Sequence, residues 1–306
     1  MGMARIAAAQ RGSGEAPQAV VLTAAMATVV IWAASPMVTK VAVGTVDPLA
    51  VGLLRTVIGA LAALPLIVLG RLSPPAGRAA RAHLAVSALG GFAVFPLVFS
   101  LGIARTSAGH GALLLGILPV LTGLIAALLE RRLPGARWWL GCAVAMAGTV
   151  ILVGERFGLN GEGASLGGDA LVLASALCAA AGYVTGARAA REIGTWPVTL
   201  WGLVIGGCAL LPLAPVVVSP AEVRAAGLPA LGAIVYLAVV TSIVGYAAWY
   251  WALGRGGIGR TSLAQFLLPI VGVLLAVAVL GEPLTWPMIL AAAVILAGVA
   301  LARGRA

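Results

Sequence analysis

Ten apolar stretches, each near the ~20 residues that carry an α-helix across a bilayer, fill almost the whole chain. They cover approximately residues 20–39, 48–70, 83–103, 107–129, 136–154, 168–188, 197–218, 228–252, 259–281 and 286–302. The breaks between them carry helix-end chemistry. Asp47-Pro48 offers an N-cap followed by proline at the first helical position, Thr195-Trp196-Pro197 resembles it, and Leu133-Pro134-Gly135 parts the fourth and fifth stretches. With 62% hydrophobic and 9% charged residues and a mean hydropathy of +1.11, the 306-residue chain lacks the polar surface that soluble domains of this length need. The first stretch is too long for the core of a cleavable signal peptide and reads as a retained membrane helix behind a polar tail.

The charge pattern orients the helices. With the N-terminus in the cytoplasm, fourteen Lys and Arg residues fall on that side and four (Lys40, Arg105, Arg156 and Arg224) outside, while Arg55 lies within the second stretch. This bias predicts cytoplasmic termini in a bacterial inner membrane. The net charge of +10 sits in short gaps rather than along a polar face, which argues against nucleic acid as a partner. Arg55 is expected to snorkel from the outer half of its helix to the interface.

The chain repeats itself about 150 residues on. LGIARTSAGHGALLLGILP at 101–119 aligns without a gap to WALGRGGIGRTSLAQFLLP at 251–269, so that Arg105 meets Arg255 and Pro119 meets Pro269. Glu130 and Glu282 correspond after a two-residue adjustment. The predicted organisation is a tail at 1–19, a first five-helix unit at 20–154, a periplasmic linker at 155–167, a second unit at 168–302 and a tail at 303–306. Five is odd, so the second unit enters the membrane upside down. Inverted repeats are a transporter design that places the solute at their interface.

Several segments resemble the EamA family of the drug/metabolite transporter superfamily, and within it the YddG-type amino-acid exporters. They are IWAASPMVTK in the first helix, FPLVFSLGIARTSAGHGALL leading to ILP and LLERRLP, and GYAAWYWALGR leading to LLP, LGEPL and LAGVALA. The resemblance implies an all-α membrane fold of ten helices in two inverted repeats around a central cavity. It further implies export of small metabolites, amino acids including aromatic ones, by alternating access; other metabolites or drugs are the alternative.

All nine carboxylates fall in tails, loops or helix ends. An ionisable group at membrane depth would mark function, so this distribution favours neutral or zwitterionic solutes and facilitated rather than proton-coupled transport. The candidate cavity residues are Trp32, Ser35, Pro36, Phe95, Phe99, His110, Tyr183, Tyr246, Trp249, Tyr250 and Gln265. Many recur at spacings of three or four, which stacks them along one helix face, and an aromatic wall with a few polar groups suits a small amphipathic metabolite. Packing between helices is the competing explanation. Pro36, Pro96, Pro119 and Pro269 are candidate kinks where transport requires bending.

Cys142, Cys178 and Cys208 show no ligand spacing, and His83 and His110 stand apart, so neither metal nor cofactor is expected. The same scarcity of catalytic groups argues against an intramembrane enzyme, and the repeat argues against a passive scaffold. The expected partners are a small solute and membrane lipids, with a monomer as the working unit.

Overall fold

The computed structural model describes residues 17–106, 108–157, 165–280 and 284–303. Among them are only helices and connecting turns. We label the principal helices α1 (Gln18–Val43), α2 (Pro48–Gly70), α3 (Arg78–Arg105), α4 (Gly111–Glu130), α5 (Ala136–Phe157), α6 (Leu166–Ile193), α7 (Thr195–Val217), α8 (Gly227–Gly256), α9 (Ile258–Leu275) and α10 (Trp286–Arg303). All but α5 are long and apolar enough throughout to cross a membrane, and α5 carries a shorter apolar stretch at Ala136–Leu152. Glu282 and residues 158–164 of the expected linker lie outside the described residues, as does the tail before residue 17.

Local chemistry starts these helices. Asp47 Oδ1 accepts from the backbone N–H groups of Leu49 and Ala50, and Ser165 Oγ accepts from Gly168 N–H. Each satisfies donors that the first turn leaves open. Apolar side chains such as Val68, Leu69, Val216 and Leu228 remain exposed on the outside. In water such a surface would aggregate; against acyl chains it needs no cover.

The helices pair across the two units with an approximate two-fold symmetry. Helix α5 packs on its counterpart α10, and α2 packs on its counterpart α7. Contacts α1–α8 and α3–α6 exchange under the same symmetry, as do α1–α9 and α4–α6. Small residues make these approaches possible. Any side chain on Gly141 or Gly298 would collide with the facing backbone of the α5–α10 pair. The antiparallel relation of the two five-helix units follows from their odd helix count.

Some equivalent helices bend alike and others do not: α2 is one continuous helix, whereas its counterpart α7 carries a 3-10 stretch at Leu211–Leu213. Both α3 and α8 contain a π-helical stretch, at Ala88–Val94 and Tyr236–Gly245. Helix α1 breaks at Ala34, whereas its counterpart α6 runs unbroken for 28 residues.

Candidate functional site

Each of the four sequence-marked prolines is the second residue of a helical segment that follows an irregularity. Pro36 follows the break at Ala34, and Pro96 follows the π turn of α3. Pro119 opens Leu118–Glu130 after the turn at Gly116 and Ile117, and Pro269 opens Leu268–Leu280 after the 3-10 stretch Ser262–Leu267. Proline lacks an N–H and its ring presses on the carbonyl four residues back. The preceding turn therefore leaves the regular ladder.

The π turns release carbonyls from that ladder, and other helices use them. Gly91 O accepts from Tyr246 Oη at 2.9 Å, and Phe92 O accepts from Thr56 Oγ1 at 2.7 Å. On α8, Thr241 O accepts from Trp32 Nε1 at 3.1 Å and Gly245 O accepts from Thr28 Oγ1 at 3.3 Å.

These bonds gather one aromatic cluster where the two units meet. Trp32 of α1 stacks on Tyr183 of α6 with centroids 5.3 Å apart and planes at 17°. It meets Tyr246 edge-on at 5.2 Å and Trp249 at 5.7 Å. Tyr246 in turn contacts Tyr250 at 5.6 Å and Phe92 of α3 at 4.4 Å. The Tyr250 hydroxyl shares a 2.8 Å hydrogen bond with Ser87 Oγ on α3. All six rings are buried, Trp32 being the most accessible at 8%. Glycine makes room for them: a Cβ on Gly245 would lie 2.5 Å from Trp32 Nε1, and one on Gly186 would press into the Tyr250 ring.

The remaining candidates add no further ring contact to this cluster among the described residues. Phe95 and Phe99 stack on each other at 5.3 Å, with no ring contact to the cluster among the described residues. Gln265 is buried in the 3-10 stretch of α9, and Ser35 is half-buried beside the α1 break. His110 falls in the helical turn Ala108–Leu115, and its side chain lies outside the described residues. Phe92, three residues before Phe95 and absent from the candidates above, belongs to the cluster.

Polar groups without partners adjoin the rings or the helices that carry them. Trp249 Nε1, Ser35 Oγ, Thr39 Oγ1, Thr122 Oγ1 and both amide atoms of Gln265 are buried with no hydrogen-bond partner among the described residues. Each such vacancy costs about 1–3 kcal/mol.

Arg55 corrects the sequence reading. It does not snorkel to the interface; it points into the bundle and is only 4% exposed. Nε donates to Ser242 Oγ and Nη2 to Thr241 Oγ1, each at 3.2 Å, in the π turn of α8. Cζ lies 5.6 Å from the Phe95 ring centroid, within cation–π range. These acceptors on the opposite unit hold the side chain inward.

At the end of the bundle that carries the N-terminus, a cavity of about 530 Å³ is lined by Val21, Ala25, Arg255, Arg260, Thr261 and Arg303, among others. Val21 and Ala25 share with Thr28 and Trp32 the buried stripe of α1. The cavity and the ring cluster therefore lie along one face of one helix, about 10 Å apart from Ala25 to Trp32. At the other end, Lys40 Nζ donates to the carbonyls of Ile103 and Thr106, and Thr106 Oγ1 donates to Asp169 Oδ1 at 2.6 Å. Of these bonds, the one from Thr106 to Asp169 crosses between the two units.

Ten apolar helices in two inverted units, meeting at a ring-filled interface, define a polytopic membrane transporter. The chain belongs to the EamA-like transporter family, whose description matches residues 19–154 and again 166–304. It is 32% identical over 275 residues to the Bacillus subtilis (strain 168) transporter YdeK, spanning 90% of this chain and 94% of that one. It is 28% identical over 285 residues to a probable amino-acid metabolite efflux pump of Escherichia coli (strain K12), covering 90% and 91%. A solved protein crystal structure superposes with a TM-score of 0.71 over 92% of this chain and 96% of its own, at 20% identity, and is alike in fold.

Proposed function

We propose that this transporter exports small neutral or zwitterionic metabolites, amino acids including aromatic ones foremost, from the cytoplasm of a bacterial cell. The observation that carries the reading is the cluster of Trp32, Tyr183, Tyr246, Trp249 and Tyr250, to which both units contribute. An apolar side chain would insert among these rings, and an ammonium group would be received by ring faces and the carbonyls freed at the π turns. The names of relatives point the same way: a probable amino-acid metabolite efflux pump, and a probable terminal-alkyne amino-acid exporter of Streptantibioticus cattleyicolor, 28% identical over 63% of each chain.

In this reading the rings fill their own site between turnovers, and the solute enters from the arginine-rimmed cavity by displacing them. Rocking of the two units, with bending at Pro36, Pro96, Pro119 and Pro269, then exposes it to the other side. The termini are cytoplasmic and a single chain suffices.

The test is purified protein in liposomes, assayed by counterflow against labelled amino acids, sugars and nucleosides. Amino acids should exchange. Trp32→Ala and Tyr246→Ala should slow exchange while membrane insertion persists. Exchange of sugars or nucleosides alone would remove the amino-acid reading, and unimpaired exchange in both variants would return the rings to a packing role.

A further inference from the structure

A buried cation without a counter-ion is costly, and more so in a bilayer, where an ionisable side chain marks function by default. Arg55 is in that position. Among the described residues no carboxylate lies within ion-pair distance, and its partners there are two neutral hydroxyls and one ring. Both hydroxyls direct their own hydrogens to Leu237 O, so their lone pairs face the guanidinium. They hold and aim the group; they do not neutralise it.

The geometry of a guanidinium makes this more specific. Its five N–H groups form a planar fork with two edges suited to paired acceptors. The edge made by Nε and Nη2 is the one that Ser242 and Thr241 take. The other, formed by Nη1 and the second hydrogen of Nη2, has no partner among the described residues. Thr241 ties the guanidinium to the ring cluster, its hydroxyl accepting from Arg55 and its carbonyl from the Trp32 indole. No second Lys or Arg stands mid-span in the sequence. One cation with one free edge matches a planar monoanion better than a phosphate dianion.

We infer that Arg55 is the carboxylate-recognising residue of the transport site, which restricts the solutes to those joining a carboxylate to an apolar body. This rests on the aromatic cluster being the solute site, and it names the chemistry that cluster alone would not select. Thr241 and Ser242 are positioning residues that pre-set the fork, so little ordering of the side chain is left for the solute to drive. The ammonium group of an amino acid contributes no selectivity at Arg55; the carboxylate does.

The experiment compares L-phenylalanine with L-phenylalaninamide, which keeps the ring and the ammonium and lacks the carboxylate. Both compete against labelled phenylalanine counterflow in liposomes containing the wild type, Arg55→Gln or Arg55→Lys. Wild type should prefer the acid by about 10- to 100-fold, the loss expected for one charge-assisted pair. Arg55→Gln should bring the two to parity by weakening the acid alone, and Arg55→Lys should restore part of the preference. A merely structural arginine would depress both competitors equally. In parallel, thermal unfolding in detergent is measured with phenylacetate and with phenylacetamide. Phenylacetate should stabilise wild type and not Arg55→Gln.

Phenylalanine exchange with no preference over the amide, or an unchanged preference in Arg55→Gln, would overturn the assignment and leave the exporter reading standing. No amino-acid exchange, but stabilisation by phenylacetate that needs Arg55, would uphold the assignment and overturn the amino-acid reading. Neither exchange nor stabilisation would overturn both.

Discussion

Replacing Gly245 by alanine tests whether Trp32 is held by the close approach of α1 and α8. The new methyl would arrive 2.5 Å from Trp32 Nε1 and 3.2 Å from Cδ1. An unstrained contact is roughly 3.5 Å, so about 1 Å of relief is needed. The helix backbone cannot supply it easily, and the indole must tilt. Tilting stretches the 3.1 Å bond from Nε1 to Thr241 O and disturbs the 5.3 Å stack on Tyr183. Overpacking of this kind costs about 1–3 kcal/mol, the lost hydrogen bond being about 0.5–1.5 of it. Trp32→Phe removes the atom that the methyl strikes, so the same alanine in that background should cost only a few tenths, the helix propensity gained over glycine offsetting the rest. A double-mutant cycle on denaturant unfolding in micelles, followed by circular dichroism, should therefore show coupling of about 1–2 kcal/mol. Distant pairs add within about 0.3–0.5 kcal/mol. Additivity at that level would refute the idea that Gly245 is there to seat Trp32.

Two further outcomes follow from charge placement. Single cysteines at Ala76 and Ala225, both exposed, should label from opposite sides in a cysteine-free background, Ala76 from the cytoplasm; labelling from one side would end the inverted ten-helix topology. Solute flux should survive collapse of an imposed pH gradient, because all carboxylates in the sequence stand in tails, loops or helix ends. Uphill accumulation driven by the pH gradient and lost in His110→Ala would replace facilitation with proton coupling.

Depth was legible in the sequence, and rotation much less so. Apolar runs, the Asp47-Pro48 start and the matched segments at 101–119 and 251–269 place each residue along its helix, and the repeat makes the two units antiparallel. Ring spacing on α8 marks Tyr246, Trp249 and Tyr250 as one face, which the fold turns toward Trp32 and Tyr183. What periodicity cannot say is which partner receives a face. Arg55 shows this: its depth allows the guanidinium to go outward or inward, and the acceptors that decide lie 186 and 187 residues away. A signal was present nonetheless. Arg55 shares its face of α2 with Gly52, Thr56, Gly59, Ala60 and Ala63, all buried, while Leu61, Leu64 and Val68 turn outward. A face of small residues is the one that packs in a membrane bundle. Phe95 and Phe99 make a separate stack: the π turn just before them changes the helical phase, so spacing along α3 does not by itself fix whether they share the direction of Phe92.

The main-chain bonds at the two π turns have a consequence for how such proteins diverge. Four contacts between helices end on carbonyls of Gly91, Phe92, Thr241 and Gly245. A carbonyl is present whatever side chain its residue bears, so substitution at an accepting position can leave the bond in place. Inheritance is then held at the donors, Tyr246, Thr56, Trp32 and Thr28, and at the length of each turn, where the loss of one residue would re-phase everything beyond it. Phe92 could change in a descendant and still accept from Thr56, whereas Gly245 is held by the room that Trp32 needs and Thr241 by the hydroxyl it offers Arg55.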